Sequence, residues 1–145
     1  MTLLLIHLAA TWWMVGLIWF VQVVHYPLFA GVAAERFAAY ETAHQQRTSW
    51  VVGPPMLTEL AATIVLLVHR PAGVGVVAPW LGAGLLAGFW LSTALVQMRQ
   101  HRGLSEGFDG RLHRQLVGWN WPRTILWTAR GVVAAAMVQQ AAAAS

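Results

Sequence analysis

Four long apolar runs constrain this chain more than any other feature. They cover residues 3–24, 50–68, 74–96 and 117–138, and each approaches or exceeds the roughly 20 residues a helix needs to cross a bilayer core. Across all 145 residues, 58% are hydrophobic and only 10% carry charge, so a soluble domain is a poor match. A membrane barrel would show short alternating segments, and none of the runs alternates. Tryptophans near run ends (Trp50, Trp80, Trp119, Trp121) fit interfacial anchoring. The expectation is a single all-α domain, an integral membrane four-helix bundle spanning residues 1–145.

The first run is longer than the 7–15-residue core of a secretion signal and has no basic residues before it, so it reads as a retained helix. There is no Cys, which excludes thiol catalysis and thiolate metal sites. No Gly-x-Ser-x-Gly elbow points to a serine hydrolase. The net charge of +4 is too small, in so apolar a chain, to suggest nucleic acid.

The distribution of that charge is more informative. With four spans, the 1–2 and 3–4 connections share one side, which holds Arg36, Arg47, Arg99, Arg102, Arg111 and Arg114. The other side holds Arg70 alone. The positive-inside rule then makes the Arg-rich side cytoplasmic, in a bacterial inner membrane, with both termini outside.

The two cytoplasmic connections look structured. Pro27 is expected to end the first helix, because the residue before a proline is pushed out of helical geometry. Residues 33–48 then read as an additional amphipathic helix before the second span, with Phe37, Glu41, His44 and Thr48 on one face. After the breaks at Gly103 and Gly107, Asp109 is a candidate N-cap for a cytoplasmic extension of the fourth helix.

Four of the six histidines, His25, His44, His101 and His113, map to this side, one from each element. His7 and His69 fall at the other side and read as ordinary interfacial residues. Glu41 and His44 form a Glu-x-x-His pair, the spacing by which helix bundles present two ligands to a metal. His25, Glu41, His44, His101 and His113 are therefore the candidate metal ligands. Imidazole with carboxylate and no thiolate favours iron, with copper, manganese or zinc as alternatives. Glu106 and Asp109 read better as a loop acid and a helix cap.

"NWPRTILWTAR" in the last run carries Asn120, Pro122, Arg123 and Arg130. His113, Asn120 and Trp127 recur every seven residues beside the row Leu116, Arg123 and Arg130, so the two arginines share the inward face. Ile125, Val132 and Ala136 lie opposite and suit lipid. An Arg at the bilayer centre costs roughly 2.5–3.5 kcal/mol on insertion scales, so a partner is needed. Glu59 is the sole acid inside an apolar run. Counted from Trp50 and Trp119, Glu59 and Arg130 lie about 13 and about 16 Å deep, close enough to pair. Gly53-Pro54-Pro55 and Pro122 are expected to kink their helices at similar depth. Gln22 and Gln97 extend the polar interior beside His25 and His101.

The stretches "QVVHYPLF", "YETAHQQRTSWVVGPPMLTEL" and "GFDGRLHRQLVGWNWPRTILWTARG" resemble a family of small, largely uncharacterised bacterial four-helix membrane proteins. More loosely, the "WNWPRT" start of the fourth helix and the four-span layout resemble anthrone-oxygenase-like membrane proteins. That second resemblance implies oxidation of an aromatic or lipophilic substrate, with His25, Glu41, His44, His101, His113, Asn120 and Arg123 in the active-site region.

The expectation is thus a membrane metal-dependent oxidoreductase, in which Asn120 and Arg123 stabilise a developing oxyanion. Its partners are membrane lipid and a lipophilic small molecule; a homo-oligomer or a larger membrane complex stays open. Two alternatives remain. One is a haem b protein with Arg123 and Arg130 on the propionates and Glu59 beside them as cofactor-binding residues. The other is a transporter or assembly subunit using the arginines to bind an anion.

Overall fold

The computed structural model describes residues 1–144. They form four long helices, and no strand occurs among them. Helix α1 covers Thr2–Gly31, α2 Ala34–Val68, α3 Val77–Leu104 and α4 Gly110–Ala143. The first three are long and apolar enough to cross a membrane by length and composition. Helix α4 has 34 residues, ample length, but Asn120, Arg123, Thr124, Thr128 and Arg130 lower its apolarity. Helix α1 packs on α2 and α4, and α3 packs on α2 and α4, so each has two helical neighbours.

Helix α2 corrects one expectation. The amphipathic segment at 33–48 is no separate helix; it is the first half of one unbroken 35-residue helix, about 52 Å long. Pro54 and Pro55 sit inside it without ending it. They withdraw donors from the carbonyls of Trp50 and Val51.

Helix α1 likewise passes Pro27 instead of stopping there. Its α-helical part ends at Phe20, a π-helical turn covers Val21–His25, and short α and 3-10 turns carry the chain to Gly31. A π turn widens the ring of the backbone ladder, which relieves the clash between a proline ring and the carbonyl four residues back. A second π turn, Thr93–Gln97, interrupts α3. Neither was predicted.

The core is built in three layers along the helices. Val21, Tyr26, Phe29, Phe37, Leu104 and Leu116 pack at the Arg-rich end. Met14, Ile18, Met56, Phe89 and Trp127 form the middle. Leu4, Leu66, Val74 and Met137 close the far end. These layers are held by close van der Waals contact and by buried polar bonds between the helices. Ile125 and Val132 are exposed on the outer face of α4, as the helical repeat predicts. Ala136, on the same predicted face, is half-buried.

Asp109 caps α4: its Oδ1 accepts hydrogen bonds from Arg111 N (2.7 Å) and Leu112 N (2.9 Å). These amides satisfy two of the four orphan donors at the helix start. Gly73 closes the α2–α3 turn with φ +80, where a Cβ would also run into Ala144 and the Gln140 carbonyl.

Deep in the far half, Glu59 and Arg130 meet, as the depth count predicts. Arg130 Nε donates to Glu59 Oε2 at 2.6 Å, and Nη2 contacts the same oxygen. The remaining guanidinium donors go to the Gly82 carbonyl, the Thr63 hydroxyl and His7 Nε2 (3.0 Å). Thr11 donates to the other Glu59 oxygen. His7 is thus corrected: it is 1% exposed and belongs to this buried network, not to an interface. Gly82 lets the guanidinium reach the α3 backbone, since a Cβ there would stand 3.0 Å from Arg130 Nη1.

Candidate functional site

At the Arg-rich end, three helices bring four of the five candidate ligands together. His25 comes from the π turn of α1, Glu41 and His44 from the polar half of α2, and His101 from α3 beyond its own π turn. His25 Nε2 lies 2.9 Å from His44 Nδ1, and Thr48 Oγ1 lies 3.0 Å from the same nitrogen. His44 Nδ1 is thus shared between an imidazole nitrogen and a hydroxyl. His101 bridges the other pair. Its Nδ1 is 2.5 Å from Glu41 Oε1, and its Nε2 is 2.9 Å from the Tyr26 hydroxyl. The rings of His44 and His101 are 5.5 Å apart.

Glu41 is fully buried, and its Oε1 also accepts from Gln45 Nε2 at 3.0 Å. Its Oε2 is buried without a partner. The carboxyl group is thus held through one oxygen, by His101 and Gln45.

His113 stands apart. Its Nε2 bonds the backbone oxygen of Tyr26 at 2.8 Å, and its ring lies against Phe29 and Phe108. The Tyr26 carbonyl also accepts from the Phe29 amide, so His113 adds a second bond that ties α4 to the end of α1. Among the described residues, no group of three or more His, Asp or Glu stands in an arrangement that could hold a metal ion. The four gathered side chains are instead paired with each other.

Asn120 and Arg123 are fixed from behind. Gln22 Nε2 donates to the Val117 carbonyl, and its Oε1 accepts from Asn120 Nδ2 at 3.0 Å. Asn120 Oδ1 in turn accepts from Arg123 Nη1 at 2.8 Å. The guanidinium carbon sits 4.8 Å from the centre of the Phe89 ring, and the Tyr26 hydroxyl is beside the guanidinium. Tyr26 therefore links Arg123 to the histidine and glutamate cluster.

These groups border a cavity of about 450 Å³. Its walls are Met14, Leu17 and Ile18 of α1, Val52 and Met56 of α2, and Phe89 of α3. Its polar end is Tyr26, His44, Thr48, Gln97 and His101, and Arg123 is what α4 contributes. That volume and lining match a site for a small organic molecule: apolar walls with a few convergent polar groups. Glu59 and Arg130, the expected cofactor-binding residues of the haem alternative, lie outside this lining and bond each other.

Tyr26, Thr48 and Gln97 were not among the predicted site residues. Tyr26 follows His25 directly and would leave the inward face of a regular helix. The π turn before it supplies the extra rotation, and similar turns are frequent at functional sites. Outside the membrane, Asp109 has its carboxyl held below the ordinary aspartate value, chiefly by the Leu112 and then the Arg111 amide.

No family model, no curated protein and no solved structure matches this chain.

Proposed function

We propose that this chain is a multi-pass membrane enzyme that binds a lipophilic small molecule in the cavity and moves a proton at its polar end. The observation that carries this reading is the hydrogen-bonded series Glu41–His101–Tyr26 at the polar end of the cavity. A buried carboxylate, an imidazole and a phenol in sequence can pass a proton toward or away from a bound group, as general acid–base catalysis requires. Arg123, braced by Asn120, would stabilise negative charge developing there. All four helices would cross the bilayer as a bundle, with α4 shielded by its neighbours.

The test is retention of a lipophilic molecule. Organic extracts of the purified protein, analysed by mass spectrometry, should contain a compound that is lost when Ile18→Trp fills the cavity. His44→Ala and Tyr26→Phe should keep the compound and alter its conversion. Equal extracts from wild type and a folded Ile18→Trp would refute the reading.

The exposed Arg36, Arg47, Arg99, Arg102, Arg111 and Arg114 support a cytoplasmic location for the site and an external location for both termini. A single cysteine introduced at Ser105 should then be labelled only from the cytoplasmic side.

Metal-dependent oxidation of the same substrate is the second reading. What favours it is the 2.9 Å approach of two imidazole nitrogens from His25 and His44, next to a carboxylate with an unpartnered oxygen. Elemental analysis of the purified protein decides between the two. Stoichiometric iron, copper, manganese or zinc would favour the metal, and a Soret band would identify haem b.

A further inference from the structure

Two groups on the cavity wall carry buried polar atoms without partners. Gln97, at the end of the α3 π turn, is 2% exposed, yet its Nε2 and Oε1 both lack hydrogen bonds. Arg123 Nε is buried and unbonded too. The ion pairs of the described residues join His7 and Arg130 to Glu59, and His101 to Glu41, so Arg123 has no carboxylate partner. Arg130, the other arginine of α4's inward face, has Glu59. The contrast between two inward arginines on one helix, one neutralised and one not, calls for an anion at the second.

We propose that the molecule held in the cavity is a lipophilic carboxylate whose head group pairs with Arg123 and bonds Gln97. This rests on the cavity reading above and adds the charge of the ligand. A carboxylate suits the donors present. It accepts from the free Arg123 Nε and from the Gln97 amide nitrogen, and in its protonated form it would donate to the Gln97 oxygen. The apolar body would lie among Met14, Ile18, Met56 and Phe89. Asn120 holds one guanidinium nitrogen and the Phe89 ring covers one face, so the remaining edge is already oriented.

The test compares 2-naphthoate with its uncharged analogue 2-naphthamide on the protein in phosphatidylcholine nanodiscs, by equilibrium dialysis against empty discs. A charge-assisted pair with a buried guanidinium should make the carboxylate bind at least about tenfold tighter. Arg123→Gln should remove that preference, and Arg123→Lys should restore part of it. Equal affinity for both probes on the wild type would overturn the anion inference while leaving the cavity reading standing. Binding of neither probe would overturn both. If Arg123→Gln does not fold, the comparison of the two probes on the wild type still decides.

Discussion

Glu59 Oε2 accepts a 2.6 Å hydrogen bond from Arg130 Nε where neither side chain reaches solvent, at 0% and 2% exposure. The pair ties α2 to α4 across the centre of the molecule, two helices that otherwise touch little. Removing one partner leaves a charge buried and unpaired. Glu59→Gln should therefore lower stability by about 3–5 kcal/mol, read as unfolding in detergent. Replacing both partners together (Glu59→Met with Arg130→Met) should recover much of that loss. If Glu59→Gln unfolds like wild type, the pair does not stabilise the fold.

Gly82 bears on the same network from α3. A methyl group there would stand 3.0 Å from Arg130 Nη1, which is itself bonded to the Gly82 carbonyl and cannot give way freely. Gly82→Ala should cost about 1–3 kcal/mol, the usual range for overpacking. In the background where Arg130 is already Met, the same substitution should be nearly silent, and thermal unfolding of the four proteins measures that coupling.

His113 and His101 should part company on mutation. His113 bonds a backbone carbonyl, so His113→Ala should destabilise by about 1–3 kcal/mol and leave ligand retention unchanged. His101 links Glu41 to Tyr26, so His101→Ala should abolish conversion of the retained compound. Loss of retention in a folded His113→Ala would return that residue to the site.

Asp109 offers a test against pH. Its carboxyl is held below the ordinary aspartate value in the folded chain, so its cap stabilises α4 above that ordinary value, roughly pH 3.9, and the benefit fades as pH falls through the lower folded value. Asp109→Ala should unfold at a lower temperature than wild type at neutral pH. The gap should narrow in strong acid, and Asp109→Ser should restore part of it at neutral pH.

The amino-acid order by itself determined the number of long helices, the capacity of three of them to span a bilayer, and the matching depth of Glu59 and Arg130. Apolar run length selects a bilayer, and a constant rise of about 1.5 Å per residue turns position in a run into depth. Glu59 and Arg130 could be paired on that count alone, and the Asp109 cap could be read from local chemistry.

Tertiary structure decided rotation about each helix axis. The π turns at Val21–His25 and Thr93–Gln97 shift everything after them around the helix. That shift puts Tyr26 and His101 against each other and sends His113 to a carbonyl. Such a turn widens the backbone ladder for the sake of packing and side-chain bonds with other helices, so it has no periodic signature in its own segment. The same reason explains His7. It was expected at an interface, and that it instead meets Arg130 in the interior depends on how α1 is turned against α4.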